Sequence, residues 1–97
     1  MRISVSGEAQ ADFDAALDWY LDQSALDAAE GLADALEKAL ALLRAFPEMG
    51  TAGRYQTRVF TLPTFPYSLI YRASPDEVRI IAIAHHGRRP EFWAGRR

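Results

Sequence analysis

Ile80-Ile81-Ala82-Ile83-Ala84-His85-His86-Gly87-Arg88-Arg89-Pro90-Glu91-Phe92-Trp93 is the stretch on which the fold turns. Its first five residues are all apolar. Strict alternation would put Ile80, Ala82 and Ala84 on one side and Ile81 and Ile83 on the other, which predicts a strand covered on both faces and lying inside a sheet. The apolar run stops where His85, His86, Arg88 and Arg89 arrive together, and Pro90, lacking an N–H, ends further ladder pairing. Buried scaffold and candidate working surface therefore meet here.

Working outward, Arg2 to Val5 alternates as a short first strand, and Ser6 is placed to cap a helix. From Gly7 to Gln23, Ala9, Phe13, Ala16, Leu17, Tyr20 and Ser24 form one stripe at helical spacing, with Glu8, Asp14, Asp18 and Asp22 on the opposite side. Trp19 falls off that stripe, so it packs on a neighbouring helix or faces a partner. Ser24 to Asp27 has the spacing of a capping box and predicts a fresh helix start. In the second helix Ala29, Leu32, Leu36, Ala39, Leu40 and Leu43 make the apolar stripe, and Pro47 stops it. Pro47 to Gln56 reads as a mobile surface loop. Arg58 to Leu62, Tyr67 to Arg72 and the apolar stretch read as three consecutive strands joined by short turns. The expected architecture is α+β, in the order β-α-α-β-β-β, with an antiparallel sheet and a helical hairpin packed on one face. The partner of the first strand stays open.

A chain of 97 residues suffices for one domain, 1–97, that buries roughly 60–65% of its unfolded surface. There is no cysteine and there are two histidines, so neither a disulfide framework nor a zinc site is expected, and no cofactor is called for. Met1 to Val5 lacks the apolar run of a signal peptide, and no stretch approaches the ~20 apolar residues of a membrane span. The expected location is cytoplasmic. Charge is divided unevenly. Residues 1–50 hold ten acids against Arg2, Lys38 and Arg44, while residues 51–97 hold eight arginines against Asp76, Glu77 and Glu91. Two surfaces for two partners would explain that division, and so would ordinary solvated helix faces and strand edges.

Neighbouring His85 and His86 point to opposite faces of a strand, which disfavours a shared metal. Either can act as a general base or simply hydrogen-bond to backbone. No phosphate loop, dinucleotide fingerprint or zinc-protease pattern occurs. Arg88, Arg89, Phe92, Trp93, Arg96 and Arg97 combine charge with aromatic rings, a set suited to stacking on single-stranded nucleic acid or to anchoring a protein interface. A third reading folds Phe92 or Trp93 back as a plug on the core.

Taken in order, Trp19-Tyr20, Phe46-Pro47 with Gly50, Arg58, Phe65-Pro66-Tyr67-Ser68-Leu69-Ile70-Tyr71, and His85-x-x-Arg88-x-Pro90-x-Phe92-Trp93-x-x-Arg96 resemble the RelE/ParE superfamily of type II toxins, and specifically its ParE branch. The resemblance spans essentially the whole chain. It implies a toxin neutralised by a small ParD-like antitoxin in a hetero-oligomer, with growth inhibition and plasmid stabilisation as the outcome. ParE-like members inhibit DNA gyrase, whereas RelE-like members cleave messenger RNA on the ribosome with arginines, lysines and a tyrosine or histidine. Carried over, the nuclease set would be Arg58, His85, His86 and Arg88. Phe92 departs from it at a position where the nuclease set would call for a tyrosine hydroxyl, and the loop before Arg58 has no lysine. The expectation is therefore a non-enzymatic gyrase inhibitor without direct nucleic-acid binding, with mRNA cleavage as the alternative. Its target would bind at Arg88, Arg89, Phe92, Trp93, Arg96 and Arg97, and its antitoxin at Trp19, Tyr20 and Leu43.

Overall fold

The computed structural model describes residues 1–97. Strand β1 (Arg2–Val5) leads into helices α1 (Gly7–Asp22) and α2 (Leu26–Ala45), followed by strands β2 (Thr51–Ala52), β3 (Arg58–Thr61), β4 (Tyr67–Ala73) and β5 (Glu77–His85). The strands form one sheet in the order β1-β5-β4-β3-β2. All neighbours are antiparallel except β1 and β5, which run parallel from Arg2 beside Glu77 to Val5 beside Ile80. A parallel pair needs a long crossover, and everything between β1 and β5 supplies it. The α+β fold with a helical hairpin on an otherwise antiparallel sheet is as expected, and the parallel edge settles the partner of β1.

The helices cover one face of the sheet. Leu32, Ala39 and Leu43 of α2 and Ala9 and Ala16 of α1 meet Leu69, Tyr71, Val78, Ile80 and Ile83 in the main core. On the opposite face a second cluster joins Ile70, Ile81 and Ala82 to Trp93. The C-terminal tail thus does for the outer face what the helices do for the inner one.

The faces of β5 do not follow strict alternation. Ile70 lies opposite Ala82 and Tyr71 opposite Ile80, which leaves Ile81 as an extra residue in a bulge. One extra residue reverses the parity of everything after it. Ile80 and Ile83 therefore both serve the helix side, while Ile81 and Ala82 both serve the tail side.

Both helix starts were expected, and their caps differ. The Ser6 hydroxyl accepts from Ala9 N at 3.0 Å, a regular N-cap. Ser24 caps nothing, because α2 starts after Ala25 with no side-chain cap. Ser24 instead holds a left-handed φ of 56°. Its N–H donates to Leu21 O at 3.0 Å and that of Ala25 to Tyr20 O at 2.9 Å, which is the glycine-favouring termination of a helix. The exposed Ser24→Gly variant is expected to gain roughly 1 kcal/mol, raising Tm by about 4–8 °C; a calorimetric scan checks it.

The segment expected to be a mobile loop is tied down instead. The Tyr71 side chain is fully buried. Its hydroxyl donates to Pro47 O at 2.8 Å and accepts from Gly50 N at 2.9 Å. A Cβ on Gly50 would stand 2.6 Å from that hydroxyl, so glycine is required. Arg58 Nη1 donates to Gly50 O at 2.8 Å and Glu48 O at 3.3 Å, and β2 pairs with β3.

Candidate functional site

The site grows from the end of β5. After His85 the chain turns, with Arg88 N donating to His85 O at 3.0 Å. Gly87 N donates to His85 Nδ1 at 2.9 Å, which places the proton of the neutral ring on Nε2. The His85 ring stands edge-on to Tyr67, 5.1 Å between centroids. His86 turns to the other face, where its Nε2 lies 2.9 Å from the Ser68 hydroxyl. Burial, with a smaller contribution from Tyr20, pushes the Tyr67 hydroxyl above its ordinary pKa.

Asp12 organises the far side of β5. Beyond Val5 there is no β1 residue beside β5, and because of the bulge Ile81 O and Ile83 N turn to this unpaired side. Asp12 Oδ2 accepts from Ile83 N at 3.0 Å and from Arg96 Nη1 at 2.6 Å, while Arg96 Nη1 also donates to Ile81 O at 3.1 Å. Arg96 Nη2 reaches Asp12 Oδ1 at 3.3 Å, completing a two-pronged pair. Only 13% of the Arg96 side chain and 8% of that of Asp12 are exposed. Glu8 adds a contact to Arg96 at 3.4 Å, and Arg88 Nη1 stands 3.5 Å from Asp12 Oδ1. Arg72 and Arg79 hold the tail through the Arg96 and Arg97 carbonyls at 2.8 and 3.3 Å.

Phe92 carries two guanidinium groups, Arg88 at 3.6 Å and Arg96 at 5.1 Å from its ring centre. Charge over a ring face is favourable and orders the arginine. Nearby, Glu91 pairs with Arg54 at 3.1 Å; that hydrogen bond and then its charge raise the Arg54 pKa further.

The expected target-facing residues separate into two groups. Arg88, Arg89 and Arg97 are exposed and Phe92 is half-buried, whereas Trp93 is buried in the second cluster and Arg96 is locked on Asp12. The plug reading holds for Trp93, and Arg96 is not a free surface charge. Among the antitoxin candidates, Trp19 is 57% exposed and stacks edge-on with Tyr20 at 5.2 Å. Leu43 is corrected: it lies wholly inside the main core and presents no surface. Trp19 and Tyr20 border a groove of about 800 Å³, floored by Ala15, Ala16, Tyr67 and Ile83, with Asp12, His85 and Arg88 along it.

Of the nuclease candidates, His85, His86 and Arg88 border one cleft under the tail, but Arg58 does not join them. Arg58 lies opposite Tyr71 and His85 opposite Tyr67, four residues apart along β4, or ~13 Å of strand. Arg58 is also committed to the carbonyls of Glu48 and Gly50. Asp12, which no motif flagged, is the hub of the site. The available signal was its spacing, an acid three residues from Ala9 and four from Ala16 on the buried side of α1.

No helix is long and apolar enough to cross a membrane. The family model for the ParE toxin of the type II toxin–antitoxin system parDE matches residues 3–90. Among solved structures, a chain of the chromosomal ParDE toxin–antitoxin system from P. aeruginosa is similar with a TM-score of 0.74 and 26% identity, covering 88% of this chain and 95% of that one. No curated protein matches. Those similarities imply a toxin–antitoxin partnership and agree with the fold and the order of the motifs, so the chain belongs to the ParE toxins of type II toxin–antitoxin systems.

Proposed function

We propose that this chain inhibits DNA gyrase by protein contact, without catalysis, and is neutralised in the cytoplasm by a ParD-like antitoxin in a hetero-oligomer. The observation that carries the reading is the separation of Arg58 from His85, His86 and Arg88, the rest of the nuclease set. Phosphoryl cleavage needs a base and charge stabilisers around one scissile bond. Here Arg58 is bonded to a loop at one end of β4, His85 and His86 serve opposite faces at the other, and Phe92 has no proton to give.

In place of a catalytic cluster stands a presented surface. Arg88 and Arg89 project beside Phe92, backed by the buried Trp93 and by the Asp12–Arg96 pair. Exposed arginines beside an aromatic ring on a packed base suit a protein interface, where such residues dominate binding energy. A sequence pI near 5.6 gives little of the general attraction that a nucleic-acid binder uses. The antitoxin is assigned to the Trp19–Tyr20 groove, whose exposed aromatic edge and apolar floor fit an amphipathic segment.

Purified gyrase, relaxed plasmid and toxin freed of antitoxin test the proposal. Supercoiling should be lost, linear plasmid should accumulate, and added antitoxin should restore activity. Folded toxin without effect would overturn the gyrase reading, and cleavage of a translating message would then be sought.

A further inference from the structure

The antitoxin groove and the target-facing surface share a wall. A second, smaller cleft of about 270 Å³ lies under the tail, lined by Arg89, Phe92 and Trp93 among others, and both it and the Trp19–Tyr20 groove are bordered by His85 and Arg88. Of these two, Arg88 carries the permanent charge. Its side chain is 50% exposed. It rests on Phe92 on the target side and reaches Asp12 on the groove side.

Its two holds are unequal. The Asp12 contact is long, at 3.5 Å, and Asp12 keeps Arg96 at 2.6 Å and Ile83 N at 3.0 Å if Arg88 leaves. Moving Arg88 therefore leaves no buried carboxylate unpaired, which removes the usual obstacle to breaking such a contact. A partner in the apolar groove that brings its own carboxylate to the Arg88 end gains a charge-assisted hydrogen bond with a group already half out of water. Arg88 turned into the groove no longer lies on Phe92.

We propose that Arg88 is the residue over which antitoxin and target compete. An antitoxin segment fills the groove with apolar side chains and takes Arg88 with an aspartate or glutamate, withdrawing that arginine from the target-facing surface. This rests on the reading of the chain as an antitoxin-controlled toxin with separate antitoxin and target surfaces.

The test uses full-length toxin carrying Arg88→Ala or Arg88→Gln, the purified full-length cognate antitoxin in calorimetric titration, and growth arrest on induction of the toxin alone. Both variants should bind antitoxin about tenfold to a hundredfold more weakly and lose growth arrest, with an unaltered circular dichroism spectrum. Gln retains most of the packing over Phe92 and keeps the experiment decisive if Ala disturbs the fold. Arg2→Ala, which removes one positive charge from the far end of the sheet where Arg2 pairs with Glu77 at 2.9 Å, should shift neither readout. Neutralising one antitoxin acid should cost affinity against the parent and almost nothing against Arg88→Gln. Antitoxin affinity kept within about twofold by a folded Arg88 variant would overturn the proposal, as would undiminished growth arrest. Neither readout depends on gyrase, so a negative supercoiling assay would remove that target and leave this result standing.

Discussion

Arg96→Ala is expected to lower the unfolding free energy by about 3–5 kcal/mol, the usual consequence of removing one partner of a buried ion pair. Asp12 would keep Ile83 N and the distant Arg88 but lose both close guanidinium contacts, and Ile81 O would lose its donor. Against a total stability of roughly 5–15 kcal/mol for a domain of this kind, that is a large share. Urea unfolding of the two variants reads it directly: Arg97→Ala, at an exposed position one residue on, should change stability by no more than about 0.5 kcal/mol. Equal midpoints for the two would mean that the Asp12–Arg96 pair contributes nothing to folding. The same difference warns against deleting the two terminal arginines together as a probe of toxicity, because lost growth arrest would then report unfolding.

Trp93→Ala is expected to cost about 3–5 kcal/mol as well, through the cavity it opens against Ile70, Ile81 and Ala82. Its effect should not add to that of Arg96→Ala. Both changes release the same short tail, and once the tail has left the sheet the second contact is already broken. A double mutant whose destabilisation equalled the sum of the singles would show that ring and guanidinium act separately. Fluorescence distinguishes the two tryptophans, since Trp93 is buried and Trp19 is 57% exposed. Parent emission should therefore contain a blue component that Trp93→Ala lacks.

Most of the fold is legible because its signals are local. Helical spacing of Leu32, Leu36 and Leu43, the cap at Ser6 and the apolar run from Ile80 to Ile83 each depend on neighbours a few residues away. What could not be read depends on partners far along the chain. The parallel partner of β1 lies 75 residues on, where Arg2 meets Glu77, and Arg96 finds Asp12 across 84 residues. The bulge was hidden for another reason: every residue from Ile80 to Ile83 is apolar, so either assignment of faces looks the same in sequence. Pro47, Gly50 and Tyr71 marked the family and proved to be one hydrogen-bonded latch. The stretch from His85 to Trp93 announced both charge and ring stacking. Which of its groups face outward depends on Asp12, and Ser24 and Leu43 were assigned to surface or capping roles that the packing does not give them.

The position of the Asp12–Arg96 pair has a consequence for the life of the toxin outside its complex. A strand with one vacant side is a template onto which another chain can align, the first step towards aggregation. Over the second half of β5 that side is filled by a carboxylate on Ile83 N and a guanidinium on Ile81 O. An incoming strand would have to displace two charges to pair there. Such a block blunts this part of the sheet edge against pairing with another chain.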